Sequence, residues 1–242
     1  METGHRISAS PPPFRPSVKY LACALLAGTV LVISGARDDG PPPQPSAAQA
    51  FSGSPRPAPG RTASPALRAA RPLPPSDPLR LRIPAIRVDA SMTRLDLDPA
   101  GALRPPPADN PFLVGWYGDG TPPGSAGTAV TTGHVDTPTG PGVLHDLGAL
   151  VKGDTIEISR ADRRTALFTV AAVEVYDKKR FPDKKVYGSS DLPELRVITC
   201  GGGYAEPTGY RANVVVYATM TAVKQADRHP LERARDRPGS TR

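Results

Sequence analysis

The stretch L-R-V-I-T-C-G-G-G-Y-A-E-P-T-G-Y-R, residues 195–211, decides how the chain is read. An apolar, β-branched run delivers Cys200 to three glycines, and Arg211 opens a second β-branched run farther on. Runs of this kind form strands, and glycine and proline between them mark a turn. The stretch predicts two neighbouring strands with a thiol at one mouth and a guanidinium at the other. Working outward, residues 79–83 alternate apolar and basic side chains, the mark of a half-buried strand, until Pro84 interrupts them. Further strands are expected at 86–90, 114–117, 126–134, 154–160, 165–176 and 213–219, and residues 143–150 read as one or two helical turns. Helical periodicity is otherwise nearly absent, and thirty-one prolines and twenty-three glycines keep much of the chain out of regular structure. The expected fold over 79–222 is all-β, a closed or nearly closed β-barrel or a sandwich.

The flanks have a different character. Residues 1–19 carry Arg6, Arg15 and Lys19 against a single acid, Glu2, and residues 20–35 are apolar and uncharged. A basic flank before an apolar core is an export signature. It is expected to act as a signal anchor over 20–36, with the amino terminus in the cytoplasm and Lys19 snorkelling to lengthen the span. Cleavage at Ser34-Gly35-Ala36 is the competing outcome. Cys23 counts there as a small apolar residue. Residues 37–78 are dense in proline, which blocks helix and sheet pairing, and are expected to be a disordered to polyproline-extended spacer. Residues 223–242 form a charged, apolar-poor tail expected to be disordered. The net charge of +7 comes from scattered arginines, with no basic helix and no aromatic-interleaved patch, so nucleic acid is not an expected partner.

Cys200 has no disulfide partner in the domain, and three ligands at metal-like spacing are missing, so neither metal nor cofactor is expected. Three side chains carry candidate chemistry. A free thiol is mostly protonated at pH 7, and a nearby cation favours the nucleophilic thiolate. His134, at a strand end in T-G-H-V-D, suits proton donation to a leaving amine. Arg211 keeps its charge and suits stabilisation of an oxyanion. Asp136 stands close enough in sequence to orient the imidazole, or else to cap a turn. His145 falls in the expected helical turn. Trp116, beside Tyr117, belongs to the core or to a groove wall. The competing reading makes Cys200 a buried strand residue. The domain is then a non-catalytic, wall-associated β-barrel binding peptides or glycans, and the labelling rate of the thiol at neutral pH separates the two.

T-G-H-V-D at 132–136, I-T-C-G-G-G at 198–203 and Y-R-A-N-V-V-V-Y-A at 210–218 together resemble the sortase family, and within it the class F, actinobacterial sortases. R-L-R-I-P-A-I at 80–86, V-G-W-Y at 114–117 and P-P-G-S-A-G-T-A-V at 122–130 are similar to that class too. The resemblance implies a closed eight-stranded barrel and a membrane-anchored, extracytoplasmic cysteine transpeptidase that needs no cofactor. It makes Cys200 the nucleophile, His134 the catalytic histidine and Arg211 the substrate-stabilising arginine. The implied partners are proteins with an L-P-x-T-G-like sorting signal, cut between threonine and glycine, and an amine of the cell-wall precursor. The family's usual T-L-x-T-C reads R-V-I-T-C here, with Thr199 and Cys200 kept. Thr199, Arg196 and Trp116 are the expected substrate contacts. The order of histidine before cysteine does not match papain-like enzymes, and Ile198-Thr199 before the cysteine does not match L,D-transpeptidases.

Overall fold

The computed structural model describes residues 40–51, 68–207 and 209–225. The basic leader and the expected anchor at 20–36 lie outside the described residues, as does the tail beyond 225. Among the described residues no helix is long and apolar enough to cross a membrane. In chain order the strands are β1 (Pro78–Ile83), β2 (Val88–Leu95), β3 (Leu113–Tyr117), β4 (Gly127–Thr132), β5 (Asp136–Thr137), β6 (Gly140–Pro141), β7 (Thr155–Arg160), β8 (Arg164–Asp177), β9 (Pro193–Ala205) and β10 (Gly209–Gln225). Eight of them close a barrel in the order β1-β2-β3-β4-β9-β10-β8-β7, while β5 and β6 form a separate small hairpin. The expected all-β, closed eight-stranded barrel is what the chain forms. Among the described residues one α-helix, α1 (Asp183–Tyr187), and short 3-10 turns, including His145–Ala149 within the expected helical turn, interrupt the connections.

The two-residue period of a strand explains the interior. Leu81 and Ile83 of β1, Ile156 and Ile158 of β7, Phe168 and Val170 of β8, Leu195 and Val197 of β9, and Val214 and Val216 of β10 fill one central cluster. Each is essentially inaccessible to solvent, and burying one side chain of this size contributes about 2 kcal/mol. The alternate residues Ile198, Val215 and Tyr217 face outward, yet they too are buried. They form a second cluster with Ala172 of β8 and Val186 of α1, and Phe181 packs against it. The connection between β8 and β9 thus roofs the outer face of β9 and β10, a covering that alternation alone does not reveal.

Parts of the proline-dense segment lie against the barrel. The Ala70 amide donates to Met220 O (2.7 Å) and the Leu73 amide to Gly124 O (2.8 Å). Phe51 meets the Tyr217 ring edge-on at 4.8 Å, and its amide donates to Glu174 Oε1. Ala70 and Leu73 also pack against the central apolar cluster.

Candidate active site

Two strands that run parallel set the site. β4 pairs with β9 in the register Thr132↔Ile198, and carried two residues forward that register brings His134 alongside Cys200. Threonine hydroxyls fasten the pair: Thr131 Oγ1 donates to Arg196 O (3.1 Å), Thr132 Oγ1 to Ile198 O (3.0 Å), and Thr199 Oγ1 to Gly133 O (2.8 Å). Thr199 is 3% exposed. Although it borders the groove, its hydroxyl is spent on the backbone next to His134 instead of being offered to a ligand. The T-T-G-H and I-T-C segments are therefore two halves of one clasp.

Cys200 is a half-buried free thiol. The sequence places it at a strand end, whereas β9 continues through the glycines to Ala205. Its partner on β10 is Asn213. Beyond it the ladder slips: Ala212 pairs with Gly201 but Tyr210 pairs with Tyr204, so two β9 residues stand against Arg211. This is a bulge, and Gly202 supplies the positive φ of 72° that such an extra residue favours. A Cβ on Gly202 would meet Ala212 Cβ at 2.7 Å, and one on Gly203 would stand 3.2 Å from Arg211 Nη2. The glycines after the thiol make room for the guanidinium on the neighbouring strand. Among the described residues no hydrogen bond or ion pair ties that guanidinium down.

The outer face of β4 and β9 opens into a groove of about 780 Å³, with Val130, Thr132 and Ile198 along its floor and His134 and Cys200 at one end. Leu97 and Leu103 of the β2–β3 connection form one side, and Asp183 and Tyr187 of α1 the other. The His134 backbone is pinned, with its carbonyl accepting from the Leu144 amide at 3.0 Å. Gly142 is packed so closely that a Cβ there would lie 2.3 Å from the same oxygen. The imidazole Nε2 donates to Pro106 O at 2.8 Å, because a backbone carbonyl only accepts.

The Sortase domain model matches residues 81–221, more than half of the chain. The chain belongs to the sortase family. Members of this family are cysteine transpeptidases that act on sorting-signal proteins and cell-wall amines. Among solved structures, sortase A of Listeria monocytogenes is 15% identical, with a TM-score of 0.45 over 63% of this chain and 92% of its own. The SrtA sortase from Actinomyces oris is 16% identical, with a TM-score of 0.47 over 72% and 92%. Sortase C-1 from Actinomyces oris is 19% identical, with a TM-score of 0.46 over 59% and 73%. No curated protein sequence matches the chain.

Within this sortase domain the expected site residues divide. His134, Cys200 and Thr199 border one groove, and Arg211 stands on the strand beside the thiol. Trp116 is buried at 4% exposure on the face of β3 that pairs with Thr131, with the Arg94 guanidinium 5.8 Å from its ring. Its neighbour Tyr117 borders the groove instead, since successive strand residues take opposite faces. Arg196 lies on the outward face but beneath α1, away from the groove surface. Asp136 does not reach His134. The Tyr210 hydroxyl donates to the Asp136 carboxylate, and His145 Nε2 lies 4.0 Å from the same group.

Sequence reading passed over three neighbours. Lys178 Nζ lies 3.6 Å from Cys200 Sγ and donates to it. A lysine in a K-K-R run gives no local sign of this. Tyr210 joins the site through Asp136, and its phenol is pushed well above the ordinary tyrosine range. Burial is the main cause, followed by the hydrogen bond to Asp136 and the negative charge of Asp136, with smaller pushes from Cys200 and Tyr204. Tyr210 therefore stays a neutral donor, and the adjacency of Y to R in Y-R-A-N was its one legible signal. His145, set aside as a turn residue, pairs with Asp146 through Nδ1 at 3.1 Å and stands behind Asp136. Among the described residues no group of three or more histidine, cysteine or acidic side chains is arranged to hold a metal.

Proposed function

We propose that this domain is a class F sortase that cleaves an L-P-x-T-G-like sorting signal between threonine and glycine. It would transfer the exported protein to an amine of the cell-wall precursor, or to water. Residues 20–36 would hold it to the membrane as a single-pass anchor, with the catalytic domain outside the cytoplasm. Supporting this reading above all is the parallel register of β4 with β9, which runs the T-T-G-H and I-T-C segments side by side, together with the one groove that His134 and Cys200 both line.

In the proposed reaction the Cys200 thiolate adds to the threonine carbonyl, forming the S–C bond and a tetrahedral oxyanion that Arg211 faces from β10. Collapse breaks the C–N bond, and the departing glycine amine takes a proton from the His134 imidazolium. An incoming amine then loses its proton to His134 as it attacks the thioester, restoring the thiolate and forming a new amide. The His134 bond to Pro106 gives way when the peptide enters, freeing Nε2 for these transfers.

The test is cleavage of an L-P-A-T-G peptide with mass detection of the acyl-enzyme. Cys200→Ala is expected to abolish both cleavage and the adduct. Retained turnover in that variant would overturn the proposal. A thiol that resists iodoacetamide at neutral pH, together with peptide binding and no cleavage, would favour a wall-associated binding module instead.

A further inference from the structure

Arg196 is the residue whose burial the catalytic reading leaves unexplained. Its side chain is 8% exposed, although desolvating a guanidinium carries a heavy penalty unless each donor finds a partner. Here each of the three guanidinium nitrogens has a partner. Nε donates to Val186 O at 3.2 Å, Nη1 to Leu195 O at 3.4 Å and Nη2 to Glu194 Oε2 at 2.6 Å. The guanidinium also lies 4.5 Å from the centre of the Tyr217 ring, a cation–π contact in a desolvated setting.

One of those partners belongs to the groove. Val186 is part of α1, the short helix whose Asp183 and Tyr187 form one wall of the cavity. The same segment is tied again just past the helix, where Thr128 Oγ1 donates to Gly188 O at 2.7 Å. These two bonds join the wall to β9 and β4, the strands that make the floor. A five-residue helix has too few internal bonds to hold a fixed place alone, so its distance from the floor depends on such ties together with the packing of Val186 on Ile198 and Val215 and the ion pair of Lys185 with Glu174.

We propose that Arg196 is a positioning residue that sets the width of the peptide groove and thereby selects which side chains a sorting signal carries against Asp183 and Tyr187. This rests on the groove being the peptide site. An aliphatic residue at 196 would fill the space but leave Val186 O without its donor and Glu194 unpaired. Lysine would keep the charge without the fork that serves a carbonyl and a carboxylate at once.

The experiment compares wild type, Arg196→Lys and Arg196→Met on L-P-x-T-G peptides varied at x. KM, kcat and the rate of Cys200 alkylation by iodoacetamide are measured, with amide hydrogen exchange over residues 183–189. Arg196→Met is expected to raise KM about tenfold, the effect of losing one charged hydrogen bond at the wall. It should also reorder the preference at x and speed exchange across 183–189, while kcat and alkylation stay within about twofold. Arg196→Lys falls between. A folded Arg196→Met with unchanged KM, unchanged ranking and unchanged exchange would overturn the inference. If that variant does not fold, Thr128→Val, which cuts the other tie, is expected to shift KM and exchange in the same direction, and no shift there overturns the inference equally. If the wild type cleaves none of the peptides, the peptide-groove reading fails on its own account. Unchanged exchange across 183–189 in Arg196→Met then still rejects the wall tie.

Discussion

Arg211 owes its place to the glycines across from it. Gly202 and Gly203 stand against it on β9, and their lack of side chains lets the guanidinium lie over that strand instead of being driven off it. The planar fork matters because a developing oxyanion is best met by donors already aimed at it. Arg211→Lys keeps the charge but loses the fork, and is expected to lower kcat/KM by about 100-fold, in the range seen when one such donor is lost. Steady-state cleavage of the sorting peptide checks this, and unchanged kinetics would remove the oxyanion role. The candidate trio was legible residue by residue, because thiol, imidazole and guanidinium each sat beside glycine or a turn. Lys178 was not, since nothing local separates the lysine that touches Cys200 Sγ from its neighbours Lys179 and Arg180.

Between elements, a hydrogen bond joins the histidine turn to the arginine strand. Asp136 opens β5 just after His134, and Tyr210 immediately precedes Arg211 on β10, so the bond from Tyr210 to Asp136 ties the histidine turn to the arginine strand. Tyr210→Phe removes the hydroxyl while keeping the ring, which packs edge-on against Tyr204 at 5.3 Å. The variant is expected to lose about tenfold in kcat, with KM and thiol alkylation little changed, as misplacement of catalytic groups predicts. Equal losses in kcat, KM and alkylation would indicate general damage to the fold instead. The strands themselves were legible from alternation. Their outer covering was not: Ile198, Val215 and Tyr217 sit at solvent-facing positions of their strands and are buried because α1 and its flanks, and over Tyr217 also Phe51, pack on them.

At the scale of the molecule, Arg160 ties distant segments to the barrel end. Its side chain is fully buried and donates to Pro74 O, Pro123 O and the Asp162 carboxylate, joining the amino-terminal segment, the approach to β4 and the β7–β8 turn. Burial pushes the Asp162 carboxyl up, but the hydrogen bonds from Arg160 and the Arg164 amide and the charges of both arginines outweigh it, leaving the group below the ordinary carboxylate range. A carboxyl lowered in the folded state adds stability that is present above its unfolded value and is lost as pH falls through the folded one. Asp162→Asn is therefore expected to melt below wild type at neutral pH, with the difference closing as pH drops below the ordinary carboxylate range. Melting curves at a series of pH values check this, and a gap that persists into strong acid would contradict it.

The sequence by itself determined the strands, the all-β class and the residue types able to do thiol chemistry, because a two-residue apolar period and the glycine and proline stops are local properties of the chain. The tertiary structure decided which face each strand covers and which distant residues meet. Trp116 turned inward and Tyr117 toward the groove by the register of β3 on β4, Arg196 came to lie under α1, and Asp136 paired with Tyr210 instead of His134. The physical reason is that register and covering depend on contacts between segments far apart in the chain, such as Thr131 with Arg196. Each such contact depends on both partners together, and neither segment's own pattern records it.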